Sequence, residues 1–388
     1  MTGTIFSLLL ITFIFAFSIE AQTPTPTPAV VPETIPFPQL QIPPPKPNPA
    51  LTRWGFNEKT AAETEARFKT IPDERQTPED VEIRIELIEY YDRQESAAAK
   101  KAAQAHRLWL VRHRPEKMYY RELGWWVNAE DLKNPDYIAL KDEWLKQINL
   151  KKTNEKIRLS AAQFLSQLDA PLAEKLLREG QQINPNLYEY SERLIGIYED
   201  RVAGAVSDYE SAEVNGKEAD IDAALRKVLA EGEKALSIIS KDEGRAKSSD
   251  HFELLVKVAG AALDLNDLKK ARAFAEFILN EIKNESDPWR DTEKAIYYGN
   301  TLLGRVALRE GNTAKAGEHL LASLTFPEEN DFEIKDPELD LAAELLARGE
   351  KQTVLNYLAR AEKLTTDDDN IKIFRRWQRL IKRNSFPF

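Results

Sequence analysis

The sequence predicts an all-α protein built as a right-handed α-α superhelix, a solenoid of degenerate helical hairpins. The first observation lies between His251 and Leu364, where short polar breaks at Asn266-Asp267, Gly311-Asn312 and Gly349-Glu350 each divide two apolar series at helical spacing. The series before the breaks end in Leu263 and Leu265, in Ala307 and Leu308, and in Leu345 and Leu346. Those after them run Leu268, Ala271, Ala275, Ile278; then Ala316, Leu320, Leu321; then Val354, Leu355, Leu358. The second observation is that no stretch of useful length alternates apolar and polar residues, so no sheet is required. The third is that a hairpin patterned this way cannot bury all its apolar surface against itself. Stacking on the next hairpin completes the burial.

Composition fits such a chain. At 388 residues it is long enough for one extended array or two ordinary domains. Charged residues make up 30% and glycine is sparse, which suits helices with one solvated face. The formal charge is −10, from 64 acidic and 54 basic side chains, so attraction to nucleic-acid phosphates is not expected. The absence of cysteine rules out disulfides, a cysteine nucleophile and thiolate metal sites.

Three regions follow in order: 1–21, 22–52 and 53–388. Ile5 to Phe17 form a nearly unbroken apolar run, short of the roughly 20 residues needed to span a bilayer and typical of a signal-peptide core. Small residues at Ala16 and Ser18, then Ala21, offer cleavage sites, so a mature chain is expected to begin between Ile19 and Thr23. This places the protein in the periplasm or outside the cell. The alternatives are a membrane anchor formed by residues 5–19 and a cytoplasmic adaptor that never uses the segment. Thr23 to Ala50 then holds eleven of the 21 prolines. Proline fixes φ and removes the amide donor, so this stretch is expected to be an extended tether with a contour of roughly 80 Å.

The folded body reads as helix almost throughout. Thr77-Pro78-Glu79-Asp80 opens a helix, with Thr77 as cap and Pro78 at the first helical position. It carries Val81, Ile85, Leu87, Ile88 and Tyr91. Ala98 to His113 places Ala102, Ala105, Leu108 and Trp109 along one predicted stripe. Asn134-Pro135-Asp136 opens the next helix, through Leu145. Ala161 to Leu168 and Leu172 to Gln182 form a hairpin closed by Asn184-Pro185, followed by Tyr188 to Tyr198 and Ile221 to Ser240.

The stretch AAQFLSQLDAPLAEKLLREGQQINPNLYEYSERLIGIYED resembles a tetratricopeptide hairpin and the first helix of the next unit. Ala173 and Leu177 stand at packing positions, and Asn184-Pro185 at the inter-repeat turn. PEDVEIRIELIEYY with AHRLWLVRHRPE, NPDYIALKDEW, GNTLLGRVALREGNTAKAGEHLLAS and LAAELLARGEKQTVLNYL resemble a set of uncharacterised bacterial tetratricopeptide-like proteins. The resemblance spans Pro78 to Phe388 and implies a helical-repeat fold. It carries over no catalytic residue. The spacing is irregular, 46 residues from Asn266 to Asn312 and 38 from Gly311 to Gly349.

Candidate chemistry is sparse. His106 and His113 share a helix face but lie about 10 Å apart along the axis, too far to share a metal, and Arg107, Arg112 and Arg114 repel a cation. A polar helix edge accounts for both. Asp367-Asp368-Asp369-Asn370 resembles part of a calcium loop without its glycine and final glutamate; capping of the following helix accounts for the acids. Isolated Gly304 reads as a close helix contact. No cofactor or metal is expected.

Tyr119, Tyr120, Trp125 and Trp126, with Arg121 beside them, form an aromatic cluster that either plugs a core or faces a partner. These five residues are the candidate partner-binding site. In the last helix Ile371, Phe374, Trp377, Leu380 and Ile381 recur at helical spacing, with basic residues on the other faces. It reads as a capping helix, with peripheral contact to an anionic membrane as the alternative.

The functional expectation is an exported, non-catalytic scaffold of the cell envelope that binds a protein or peptide and no nucleic acid. The rival is an envelope polysaccharide- or peptidoglycan-processing enzyme on the same fold. A cluster of buried acids with raised pKa values in one concave pocket would favour the rival; a broad, open concave face lined by Asn, Lys and aromatic residues would favour the scaffold.

Overall fold

The computed structural model describes residues 56–116, 132–209, 217–241, 249–281, 292–326 and 339–384. The expected export segment and tether lie outside them. The described residues form fifteen α-helices and no strand. In chain order these are α1 (Glu58–Phe68), α2 (Pro78–Asp92), α3 (Ala97–His113), α4 (Pro135–Leu150), α5 (Glu155–Ser166), α6 (Ala170–Ile183), α7 (Glu189–Tyr209) and α8 (Lys217–Ile239). They continue as α9 (Ser249–Asp264), α10 (Leu268–Glu281), α11 (Thr292–Arg309), α12 (Thr313–Ala322), α13 (Asp340–Ala347), α14 (Lys351–Ala361) and α15 (Asp368–Lys382). The chain divides into two compact units between Ala173 and Glu174, inside α6.

In the N-terminal unit each helix start follows from a capping side chain. Thr77 Oγ1 accepts the Asp80 N–H at 3.2 Å while Asp80 Oδ2 accepts the Thr77 N–H at 2.8 Å, a reciprocal capping box with Pro78 in the first turn. Asn134 Oδ1 receives the Asp136 and Tyr137 N–H groups at the head of α4, and Asn154 Oδ1 that of Ile157 at the head of α5. Helix α2 is buried on almost every side, through Val81, Ile83, Arg84, Ile85, Leu87 and Ile88. It packs on α3, α3 on α4, and α4 on α5.

The expected stripe on α3 is corrected. The buried face is Ala99, Ala103, His106, Arg107, Leu110 and Val111, with Ala105 exposed and Ala102, Leu108 and Trp109 only partly buried. His106 and Arg107 are 3% and 4% exposed, and their polar atoms meet Glu65 and Asp92. A stripe drawn from apolar residues alone therefore misses the true inner face. The reading of His106 as a polar helix edge fails for the same reason.

In the C-terminal unit the three predicted breaks share one backbone geometry. Asn266, Gly311 and Gly349 all have positive φ, at 58°, 83° and 91°. At each, the N–H of the following residue reaches back to close the helix. Asp267 bonds Ala262 O at 2.8 Å, Asn312 bonds Ala307 O at 2.8 Å, and Glu350 bonds Leu345 O at 3.0 Å. This left-handed stop satisfies carbonyls that a helix end leaves over. The residue after the stop also starts the next helix in two of the three cases. Asp267 Oδ1 accepts the Lys270 N–H and Asn312 Oδ1 the Lys315 N–H.

Helices then pack as neighbouring pairs, α7 with α8, α9 with α10, α11 with α12 and α13 with α14. Helix α9 also touches α11, α11 touches α13, and α12 touches α14. Gly304 is a close contact, as expected: a Cβ there would lie 2.4 Å from Leu341 Cδ2, so α13 seats directly on the α11 backbone. At Gly299 the same test meets Leu279 Cγ at 2.7 Å. The core of this end joins Leu308, Ala316, Leu341, Leu345, Val354, Tyr357, Leu358, Phe374 and Ile381, all at most 3% exposed.

Ala316 is fully buried in that core, and its carbonyl oxygen lies 3.4 Å from where a Gly304 Cβ would stand. Ala316→Arg forces a charge and a long side chain into the contact between α11 and α12, and is expected to cost about 3 kcal/mol or more. Urea unfolding followed by circular dichroism measures this; an unchanged midpoint would contradict the packing described.

Candidate functional site

The densest polar cluster of the N-terminal unit is built around Arg84, which α2 carries into the interface with α1 and α3. Its Nε donates to Gln76 Oε1 at 2.9 Å and its Nη1 to His106 Nδ1 at 2.8 Å. The guanidinium lies between two rings, 4.1 Å from the centroid of Phe68 and 4.0 Å from that of Trp109. Burial lowers its pKa to about 10, against the nearby carboxylates of Asp73, Glu65 and Asp80. An arginine has no acceptor, so His106 Nδ1 must accept, and the ring proton belongs on Nε2. Nε2 then donates to Glu65 Oε1 at 2.7 Å.

Glu65 also accepts from the Tyr91 hydroxyl at 3.2 Å. The hydrogen bond from His106 holds the Glu65 carboxyl below its ordinary pKa although burial works the other way. Burial, with Glu65 beside it, pushes the Tyr91 phenol up. At the far edge Trp109 Nε1 donates to Asp73 Oδ1 at 2.6 Å, and His113 Nε2 lies 3.4 Å from Asp73 Oδ2. Each histidine thus faces its own carboxylate, and among the described residues no group of three or more side chains could hold a metal ion. Both ring nitrogens of His106 are engaged, and the cluster ties three helices together.

The C-terminal unit holds two further clusters. In the first, α8 presents Glu231 to α6 and α7. One of its oxygens pairs with Arg178, and the other accepts from Gln181 Nε2 at 2.7 Å and Ser191 Oγ at 2.8 Å. Burial would raise this carboxyl, but the hydrogen bonds from Gln181, Arg178 and Ser191 outweigh it and lower the pKa. Its geometry is that of a closed, fixed network.

The second is looser and crosses α11 and α13. Arg305, 7% exposed, has Nε 3.6 Å from Glu344 Oε1 and Nη1 3.9 Å from Asp340 Oδ2. These are ion-pair distances, longer than direct hydrogen bonds. Burial raises the pKa of Glu344 and of Asp340, with Arg305 opposing in both. Burial lowers that of Arg309, with Glu344 and then Asp264 of α9 opposing, so charged groups of α9, α11 and α13 feel one another. Asp340 and Glu344 stand one helical turn apart. Two carboxyls that hold protons more tightly than usual thus stand beside a buried arginine, an arrangement with the character of an acid-base pair.

The expected partner-binding residues Tyr119, Tyr120, Arg121, Trp125 and Trp126 lie outside the described residues. The acids before α15 are caps: Asp367 Oδ1 accepts the Asp369 and Asn370 N–H groups at 3.0 and 2.8 Å. The Arg84 cluster was hidden in the sequence because its members come from three helices. The one local trace was the pair His106 and Arg107 on the inner side of a helix otherwise rich in alanine. Asp340 and Glu344 carry an i, i+4 spacing, which an acidic chain shows in many places. No protein-family model matches the chain, and no curated protein is similar to it.

Removing the imidazole strands both its partners. His106→Ala leaves Arg84 Nη1 and Glu65 without their shared link and is expected to cost about 3 kcal/mol, whereas Tyr91→Phe loses one long bond and costs about 1 kcal/mol or less. A depressed carboxyl pKa contributes stability above its unfolded value and loses it as pH falls. Wild-type stability should therefore drop below pH 4.5, the ordinary value for Glu65, and the His106→Ala variant should drop less steeply. Urea midpoints across that range measure both effects; equal losses in the two variants would contradict the assigned geometry.

Proposed function

We propose that the chain is an exported, non-catalytic scaffold of the cell envelope, and that its C-terminal unit is a tetratricopeptide-like right-handed superhelix that binds a protein or peptide. The observation that carries this reading is the run of contacts from α9 to α11 to α13, each helix opening a hairpin and all three closed by the same left-handed stop. Alternate helices in contact make a continuous surface, and repeat proteins bind through many distributed contacts on such a surface. The networks around His106 and Glu231 support it too, since they link neighbouring helices. The apolar run Ile5 to Phe17 supports export. The resemblance at the hairpin from Ala161 to Gln182 supports the family, with Ala173 and Leu177 both fully buried at the packing positions.

A second reading, an envelope glycan- or peptidoglycan-processing enzyme, is favoured by one observation: the raised carboxyls of Asp340 and Glu344 beside Arg305. A single experiment separates the two. A partner captured from envelope extracts is titrated against wild type and against Tyr120→Ala/Trp126→Ala, and the same preparations are assayed for release of sugars or peptides from cell-wall material. The scaffold reading expects affinity to weaken by about 2 kcal/mol or more in the double variant with helix content retained. Turnover by the wild type that is abolished in Glu344→Gln would overturn it.

A further inference from the structure

The last helix offers a surface that the scaffold reading does not use. Helix α15 buries Phe374 and Ile381 in the core of the C-terminal unit, at 0% and 3% exposure. Directly opposite, Lys372, Arg376, Arg379 and Arg383 are exposed and stand at i, i+4, i+7 and i+11. At 3.6 residues per turn these four fall within a sector of about 60°, and the stripe is about 16 Å long. Lys372 is paired with Asp369 at 2.8 Å, and Arg375 on the flank with Glu362 at 2.8 Å. Arg376, Arg379, Lys382 and Arg383 form no ion pair among the described residues. Along one edge of the stripe run Ile373, 40% exposed, and the partly exposed Leu380.

We propose that this stripe is a docking surface for an anionic phospholipid bilayer. Guanidinium groups match phosphate oxygens with paired donors, so three arginines in a row suit a row of lipid phosphates. The apolar edge favours lipid over nucleic acid, because Ile373 and Leu380 can rest at the headgroup boundary beside the cations. So does charge: the chain carries −10 overall and the acids Asp367, Asp368 and Asp369 flank the start of α15, which confines the positive field to this helix. Since Phe374 and Ile381 are committed to the core, the helix does not insert its apolar face. Contact is electrostatic, shallow and reversible. The proposal does not depend on whether the rest of the surface binds a protein.

The test uses the full chain and two vesicle types, phosphatidylcholine alone and phosphatidylcholine mixed with phosphatidylglycerol. The readout is the ratio of partitioning into anionic over neutral vesicles, which cancels any charge-independent binding by the apolar N-terminal run. Wild type is expected to prefer anionic vesicles, and to lose that preference in about 1 M salt, where screening acts over about 3 Å. Arg376→Gln/Arg379→Gln/Arg383→Gln is expected to lower the ratio about five-fold per arginine, on the order of a hundred-fold together. Lys100→Gln/Lys101→Gln/Lys269→Gln removes the same charge from exposed sites on α3 and α10 and is expected to leave the ratio unchanged. Equal loss in this control would overturn the proposal, as would an anionic preference that survives high salt or is absent in the wild type. Tighter binding of a double-stranded oligonucleotide than of anionic vesicles at the same salt would overturn it as well.

Discussion

Carbonyl groups left over at the end of a helix need partners, and in the C-terminal unit the same pair of backbone bonds supplies them three times. Those bonds require a residue in the left-handed region, and Asn266, Gly311 and Gly349 are residue types that reach it at low cost. The stop fixes where α9, α11 and α13 end and turns the chain straight into α10, α12 and α14. Each hairpin is then left with apolar surface on two sides, so Leu341 seats on Gly304 and Phe374 on the hairpin before it. Without the left-handed stops, the helices would have neither the lengths nor the directions that let these side chains meet.

The interior of the protein is held by charge as well as by apolar packing, in two different manners. Around His106 and Glu231 the buried side chains are joined by direct hydrogen bonds, and removing a partner would leave a desolvated group behind. Around Arg305 the groups are buried but meet only at 3.6 and 3.9 Å, and burial dominates the shifts at Asp340 and Glu344. The first manner fixes helix positions. The second leaves two carboxyls with raised proton affinity beside a buried arginine, and for that reason it carries the enzymatic alternative.

Much of the fold was legible in the sequence because it is encoded locally. A proline after a threonine marks the start of α2, and an isolated glycine between apolar series marks the ends of α11 and α13; both signals act within a few residues. The face of α3 was not legible, because His106 and Arg107 turn inward only when Glu65 and Asp92 from other helices are there to receive them. The same holds for the site. Arg84 stands between Phe68 and Trp109, separated from them by 16 and 25 residues of chain, and no spacing rule within one helix encodes that contact. The aromatic residues at 119, 120, 125 and 126 were conspicuous by type alone, which says that they are large and amphipathic and not where they point.

The central claim is that each hairpin of the C-terminal unit is stabilised by its neighbour, and amide hydrogen exchange tests it most directly. Leu341→Ala removes the side chain that α13 lays on α11, where Leu341 is fully buried. Because α13 packs on α11 and α12 as well as on α14, the account predicts lower opening free energies in α11 and α12 as well as in α13 and α14, with α7 and α8 unchanged. Loss of protection confined to α13, with α11 and α12 exchanging as in the wild type, would contradict it.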